Sequence, residues 1–309
     1  MNKSINAPKV SVVIPTYNRA DELRRCLDSL TRQTFKDFEV LVCDDGSTDE
    51  TPEVTNSYKP NLDITYSYDE NFGGPARPRN RGISLARAPF IAFLDSDDWW
   101  EPKKLETSLD YLNAGADVVF HDLWNVATKD QNVFKNKVKS HQPKSPVFNS
   151  ILCSGSSIPN SSIVVRASIL SKIGKISEDR ELIAVEDFDM LLRLSKVSEK
   201  FKKIPQCLGY YWNGGNNISA ASLRHIRRTE AVYKQHLVDL EELDRNKAEG
   251  ILAYRIGRLL EAQGDNKSAL LHYKRTIWSR GDLIFKIKAS CLIFRIFLGR
   301  LYSRKSISA

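Results

Sequence analysis

The 309-residue chain predicts an α/β fold, a mostly parallel sheet flanked by helices, followed by an all-α C-terminal extension. Three observations carry this reading. Short apolar runs alternate with stretches of helical periodicity from residue 9 onward, acidic clusters directly follow two of those runs, and from Arg224 the pattern is helical throughout. A strand that feeds a helix and then a second strand favours parallel pairing, because the crossover returns the chain to the same end of the sheet. The expected division is a catalytic-type α/β domain over 1–222 and a helical extension over 223–309.

Residues 9–15, KVSVVIP, form the first predicted strand, and the next stretch carries Leu23, Leu27 and Leu30 at helical spacing with Asp21 near its start. Residues 38–43, FEVLVC, are a second strand, ending in Asp44, Asp45, Gly46 and Ser47. Ser47, Thr48 and Asp49 are suitable caps for a helix running to about Tyr58. A third strand is predicted over 63–68, a Gly/Pro loop over 71–78, a short helix over 79–87 and a fourth strand over 90–94. A helix then starts near Pro102 and a further strand covers 116–126, ending close to His121 and Asp122; that histidine reads as a packing residue. Residues 128–147, rich in Lys, Asn and Pro, read as a mobile loop. Residues 161–166 are a strand, 167–174 a short helix, and 184–196 an amphipathic helix with Glu186 and Asp187 at its entrance.

The fourth strand has the strongest chemical content. Phe90 to Leu94 is an apolar run that ends abruptly in Asp95, Asp97 and Asp98. Carboxylates crowded at a strand end repel one another unless a hard cation joins them, and Mg2+ or Mn2+ bound by oxygen usually also carries substrate phosphates. Asp95 and Asp97 project to one side of an extended backbone. An acidic turn capping the next helix fits the same triplet taken alone. In open α/β sheets ligands sit beyond the carboxyl ends of the strands, where Asp44/Asp45 and Asp95/Asp97/Asp98 both fall.

Composition narrows the classes. A hydrophobic fraction of 41% with 27% charged residues is that of a soluble globular protein. The net charge of +8 suggests an anionic partner, either nucleic acid, a membrane surface or a phosphorylated substrate. No basic stripe interleaved with aromatics is present, so nucleic acid is not an expected partner. The five cysteines, Cys26, Cys43, Cys153, Cys207 and Cys291, are scattered without metal-ligand spacing, as in a reduced cytoplasmic protein. The first ten residues lack the apolar core of a cleaved leader, and no run reaches the roughly 18 to 20 apolar residues of a spanning helix.

The run VSVVIPTYNRADELRRCLDSLTRQTFKDFEVLVCDDGSTDET, followed by NRGISLARAPFIAFLDSDD, resembles the inverting nucleotide-sugar glycosyltransferases of family 2, which have the GT-A fold. The resemblance covers about 9–220. A dinucleotide-binding fold would instead need G-x-G-x-x-G where Pro15, Thr16, Tyr17 and Asn18 stand. The resemblance implies that Pro15 and Tyr17 line the base-binding edge and that Asp45 accepts a hydrogen bond from the nucleobase, with UDP favoured. It also implies that Asp95 contacts the ribose and that Asp97 binds the Mn2+ or Mg2+ bridging the diphosphate, with Asp98 behind it. Arg79, with Arg77, would lie near the diphosphate, although solvent exposure beside a flexible loop suits both arginines. The 128–147 loop would fold over the donor. Asp187 matches the aspartate of the family's Glu-Asp motif, its catalytic base, which a sugar hydroxyl needs in order to attack at neutral pH. An alternative for Glu186, Asp187 and Asp189 is complementing the helix macrodipole. Where relatives read Tyr-Tyr-Arg and then a His, this chain has Tyr210, Tyr211 and Trp212 and no histidine, leaving Asn213, Asn216 or Asn217 to substitute.

In the tail, Leu252, Gly257, Leu260, Gly264, Ala269, Tyr273 and Ile277 are placed as in one tetratricopeptide-like hairpin, too few repeats to stand alone. Residues 282–305 are apolar and basic at once. Lys286, Lys288, Arg295, Arg300, Arg304 and Lys305 suit anionic lipid while Phe285, Ile293, Phe294 and Phe297 enter the interface, and a buried terminal helix with exposed lysines suits the same residues. The expectation for the whole is a cytoplasmic enzyme, peripheral at the membrane if the tail binds lipid, that transfers sugar from a nucleoside-diphosphate donor to a saccharide or lipid-linked saccharide. Two rivals stand beside it: a metal-dependent nucleotidyltransferase, and a non-catalytic glycan or nucleotide reader acting through its tail.

Overall fold

The computed structural model describes residues 7–154, 158–215 and 222–305, the stretch 299–305 for its backbone alone. They form two compact units, one within 1–143 and 157–217, the other within 144–156 and 218–309.

In chain order the elements are β1 (Val10–Thr16), α1 (Ala20–Thr31), β2 (Phe38–Asp44), α2 (Thr51–Ser57), β3 (Asp63–Tyr68), α3 (Ala76–Leu85), β4 (Phe90–Phe93), β5 (Trp99–Trp100), α4 (Lys104–Asn113), β6 (Val118–Val126), β7 (Lys137–Val138), α5 (Val147–Ser154), β8 (Val164–Arg166), α6 (Ala167–Leu170), α7 (Glu186–Val197), β9 (Phe201–Trp212), α8 (Leu223–Leu237), α9 (Glu242–Ala262), α10 (Asn266–Trp278) and α11 (Leu283–Lys305). The first unit is one sheet in the order β3-β2-β1-β4-β8-β6-β9-β5, with β7 added beside β6. Pairing is parallel across β3, β2, β1 and β4 and again between β6 and β9, with β8 antiparallel between the two parallel sets. Strands β1, β2 and β4 are buried at every residue, which is why they read as unbroken apolar runs.

Helix α1 covers the sheet with Leu23, Cys26, Leu27 and Leu30, all in the main core with Val12, Val40 and Ala92. Helix α3 covers β1 and β2 at a separation that requires glycine: a Cβ on Gly82 would lie 2.5 Å from Val13 Cγ1. Beyond the opposite end of the strands, buried Glu39 accepts from Ser11 Oγ (2.6 Å), from Arg87 N (2.8 Å) and from Arg87 Nε (2.7 Å).

Strand β9 has no counterpart in the sequence reading. Lys202, Lys203, Pro205 and Gln206 break its alternation, and a proline argues against a central strand. The register shows how it fits: Ile204 pairs with His121 and Cys207 with Asp122, so Pro205 and Gln206 are skipped in an irregularity. The 128–147 stretch is better anchored than a free loop. Lys137 and Val138 pair with Trp124 and Leu123, and Ser140 donates to Asp122 through N and Oγ, both at 2.9 Å. Phe134 sits edge-on to Tyr210 at 4.8 Å. At the N-terminus of α2 Asp49, one of the three expected caps, accepts from Thr51 N at 3.1 Å, while Glu50 at the helix boundary makes no capping bond.

In the second unit α9 and α10 form the expected hairpin, turning at Gly264 with φ +82°. Gly257 admits the ring of Tyr273, whose Cε1 would be 2.6 Å from a Cβ there. Helix α5 joins this unit, Asn149 Nδ2 donating to Asp244 Oδ2 at 2.7 Å and Tyr233 to the Leu152 carbonyl at 3.4 Å.

Candidate active site

The loops after β1, β2 and β4 meet at the carboxyl end of the parallel strands. Pro15 is buried within β1, opposite Cys43, while Tyr17 is 46% exposed just beyond it. Asn18 takes the left-handed conformation (φ 48°) that its short amide tolerates. Its N donates to Ser47 Oγ (2.8 Å) and its Oδ1 accepts from Thr48 N (2.8 Å), which ties the first loop to the second. Asp45 is buried and accepts from Phe72 N and Gly73 N, each at 3.1 Å. Burial pushes its carboxyl up against those bonds. A carboxylate accepting two amides retains lone pairs for a further donor.

Beyond β4 the three aspartates are divided among different partners. Asp95 Oδ1 accepts from Arg79 Nη2 (2.7 Å) and Asn160 Nδ2 (3.3 Å). Asp97 is paired with Arg19, and its carbonyl accepts from Arg25 Nη2 at 2.8 Å. Asp98 is fully enclosed, one oxygen accepting from Trp212 N at 2.8 Å. Burial and the negative charges of Asp97 and Asp95 push Asp98 well above the usual carboxylate range; Asp97 is raised by burial and by Asp95, with Arg19 opposing. The crowding expected of this triplet is thus present, and two arginines offset it.

Arg79 occupies a different place from an exposed loop arginine. It is 4% exposed and spans Asp95 on one side and Glu186 on the other, joining the end of β4 to the start of α7. Arg77 is half exposed, 3.4 Å from Glu178, with its guanidinium 4.0 Å above the Phe72 ring. Asp187 sits in the first turn of α7, its Oδ1 accepting from Phe188 N at 2.7 Å. Burial, and next the charge of Glu186, raise its carboxyl to about 7 despite Arg79. The helix N-terminus favours the charged form but does not win here. Ala184, three residues earlier, has φ 69°, a costly geometry for a side chain with Cβ that aims the Glu-Asp pair. Gly74 packs under Ile183, 3.0 Å from Cγ1 for an added Cβ, so the loop that binds Asp45 also touches the approach to α7.

Several residues at this edge escaped sequence reasoning. Arg19 and Arg25 flank the aspartates from α1 and its N-terminal loop, and only the proximity of Arg19 to Tyr17 and Asn18 could have drawn attention to either. Arg25 lies between two rings, 4.0 Å from Trp99 and 4.6 Å from Trp212, and Trp99 stacks in turn on Tyr210 at 5.0 Å. Trp212, at the end of β9 and in the place of the family's arginine, therefore has a guanidinium brought to it from α1. Asn213 N donates to the Val126 carbonyl at 2.7 Å; Asn216 and Asn217 lie outside the described residues. His121 is fully buried with Nδ1 2.9 Å from the Asp122 carbonyl, and burial lowers it to about 3, so it packs as a neutral ring. Among the described residues no group of three or more His, Cys, Asp or Glu side chains is arranged to hold a metal ion.

Known proteins share this architecture. Crystalline TarS 1-349 from S. aureus in complex with UDP-GlcNAc superposes with a TM-score of 0.64 at 24% identity, covering 87% of this chain and 81% of that one. The mannosyltransferase PcManGT from Pyrobaculum calidifontis, in complex with GDP-Man and Mn2+, superposes with a TM-score of 0.59 at 18% identity, covering 93% and 80%. These likenesses give the chain a GT-A-like fold. In sequence, 107 residues are 49% identical to the validoxylamine A glucosyltransferase of Streptomyces hygroscopicus subsp. jinggangensis, covering 34% of this chain. The chain spans 19% to 25% of the length of the curated relatives it matches over this segment. The family model for glycosyl transferase family 2 matches residues 11–174, just over half of the chain, and to that family the chain belongs.

Proposed function

We propose that this chain is an inverting glycosyltransferase that moves a sugar from a nucleoside diphosphate, UDP by preference, to a hydroxyl of a saccharide or lipid-linked saccharide in surface-polysaccharide or glycolipid assembly. The observation that carries the reading is the bridge of Arg79 between Asp95 and Glu186, which sets Asp187, a carboxyl raised to about 7, at the edge where the other candidate residues converge. A base is most useful when its pKa lies near the working pH.

In this reading Pro15 and Tyr17 border the nucleobase, Asp45 accepts from its imide, and Asp95 contacts the ribose while Arg79 holds it in place. Asp187 takes the acceptor's hydroxyl proton as that oxygen attacks the anomeric carbon. The bond from that carbon to the diphosphate oxygen breaks on the opposite face, inverting configuration without a covalent enzyme intermediate. The residues fit a divalent ion of the Mg2+ or Mn2+ type. Hard oxygen donors stand at the strand end, the raised Asp97 carboxyl is relieved by added positive charge, and such ions are commonly held by one or two carboxylates with substrate phosphates completing the shell. Asp97 would hold it once Arg19 swings aside, and the ion would neutralise charge on the leaving diphosphate. The Mn2+ and GDP-Man of the mannosyltransferase and the UDP-GlcNAc of TarS support a metal and a nucleotide sugar as ligand classes.

The test is calorimetric titration with UDP, GDP, dTDP and CDP, each with Mn2+, Mg2+ or chelator, followed by NMR of the anomeric proton in the product. Metal-dependent binding of one diphosphate and an inverted product are expected. A product of retained configuration, or release of pyrophosphate in place of a nucleoside diphosphate, would overturn the assignment.

A further inference from the structure

Helix α11 carries two apolar faces. Ala289 and Ile296 are buried with α9 and α10 in the core of the second unit. On the opposite side Ile284, Ile287, Phe294 and Leu298 are 57%, 54%, 65% and 39% exposed. At 100° per residue these four fall on one stripe, with Lys286 along one border and Lys288 and Arg295 along the other. The apolar run therefore looks unsegregated in sequence because both faces of the helix are apolar, while Lys286, Lys288 and Arg295 stand at the boundaries between them. Over 283–305 there are six Lys or Arg residues and no Asp or Glu. Arg295 reaches back to Glu261 of α9, which holds one border in place.

We propose that α11 is a docking surface for an anionic lipid bilayer, the Ile284–Ile287–Phe294–Leu298 stripe entering the headgroup boundary and the flanking cations meeting lipid phosphates. A single exposed ridge of large aliphatic and aromatic side chains, bordered by long cationic stems, has the form that inserts into a fluid interface. A second copy placed on the same stripe would bring the bordering lysines of both copies, Lys286 and Lys288, together as like charges. Crossing the bilayer is not the mode, since no described helix is long and apolar enough for it. This surface is independent of the donor site, so either reading can fail alone.

The experiment is co-sedimentation of the full chain with vesicles of phosphatidylcholine alone and of phosphatidylcholine mixed with phosphatidylglycerol, over a salt series, beside size-exclusion chromatography. Binding only to the anionic vesicles, weakening with salt, is expected. At about 1 kcal/mol per cation near an anionic surface, Lys286→Gln with Lys288→Gln should lower partitioning roughly thirtyfold. Ile287→Ser with Phe294→Ser, both at exposed positions, should abolish it while nucleotide binding and circular dichroism stay as in the parent. Equal binding to both vesicles, no binding at low salt, or a stripe variant that changes only oligomeric state would each overturn the proposal, the last in favour of an interface between copies.

Discussion

Asp187→Asn separates the proposed catalytic role of this carboxyl from its effect on stability, because the two move in opposite directions. In the folded chain the group is raised from 3.8 to about 7, so folding disfavours its charged form. The wild-type stability contributed by the neutral acid is fully present below about pH 3.8 and is lost as pH rises toward 7. A difference of about three pKa units corresponds to roughly 4 kcal/mol, and the partial exposure of Asp187 reduces the figure to about 2 kcal/mol. Asparagine stays neutral, keeps an oxygen for Phe188 N and nearly the same volume. At pH 8 the variant should therefore melt higher, by about 4 to 8 °C for a unit of this size, and the gain should vanish near pH 4. Transfer should fall by roughly 10²- to 10⁴-fold with donor binding retained. In the parent, kcat/KM should decline about tenfold per pH unit below 7, since only the ionised base accepts the acceptor proton. Scanning calorimetry at both pH values and a coupled assay of released nucleotide check all three outcomes. A variant less stable than the parent at pH 8, or one with parental turnover, would refute the reasoning.

Other contacts make further outcomes. Asp97→Asn should weaken metal-dependent diphosphate binding at least tenfold by calorimetry and leave metal-free nucleotide binding unchanged, whereas Arg19→Gln, by releasing the competing guanidinium, should tighten direct Mn2+ binding. Glu39→Ala removes a buried carboxylate that accepts from Ser11 Oγ and from Arg87, leaves the Ser11 hydroxyl without its acceptor, and should cost about 2 kcal/mol in urea unfolding. Gly82→Ala drives a methyl into Val13 and should cost about 1 to 3 kcal/mol, seen as a lower unfolding midpoint. Lys104→Met should raise the melting temperature: this lysine is fully buried at the first position of α4, its Nζ lies 3.6 Å above the Trp100 ring, and it has no hydrogen-bond acceptor there.

The chain's pattern alone determined the parallel half of the sheet. Strands β1, β2 and β4 are short, fully buried apolar runs, β3 follows β2 after one short helix, and the helices between them carry their own periodicity, so each element is written in its own few residues. The acidic ends of β2 and β4 and the Glu-Asp entrance of α7 were legible for the same reason: each is a local change from apolar strand or loop to carboxylates. Strand β9 was not, since Lys202, Lys203, Pro205 and Gln206 break its local pattern and its pairing with β6 depends on an irregularity that skips Pro205. Nor was the membership of α5 among the C-terminal helices, which rests on contacts such as Asn149 with Asp244.

At the site, sequence supplied residue types and tertiary structure supplied their partners. Asp95, Asp97 and Asp98 are closely spaced acids whose repulsion could be foreseen, but which cation meets which acid depends on Arg19 arriving from the start of α1 and Arg79 from α3. Arg79 reads as an exposed loop arginine until α7 brings Glu186 to it, and Arg25 has no evident role until Trp99 and Trp212 close on either side. The raised Asp187 carboxyl likewise exists only in the folded chain. Burial and the neighbouring charges that create it are properties of three-dimensional proximity, whereas the propensity to form a strand or a helix is encoded within a few residues of itself.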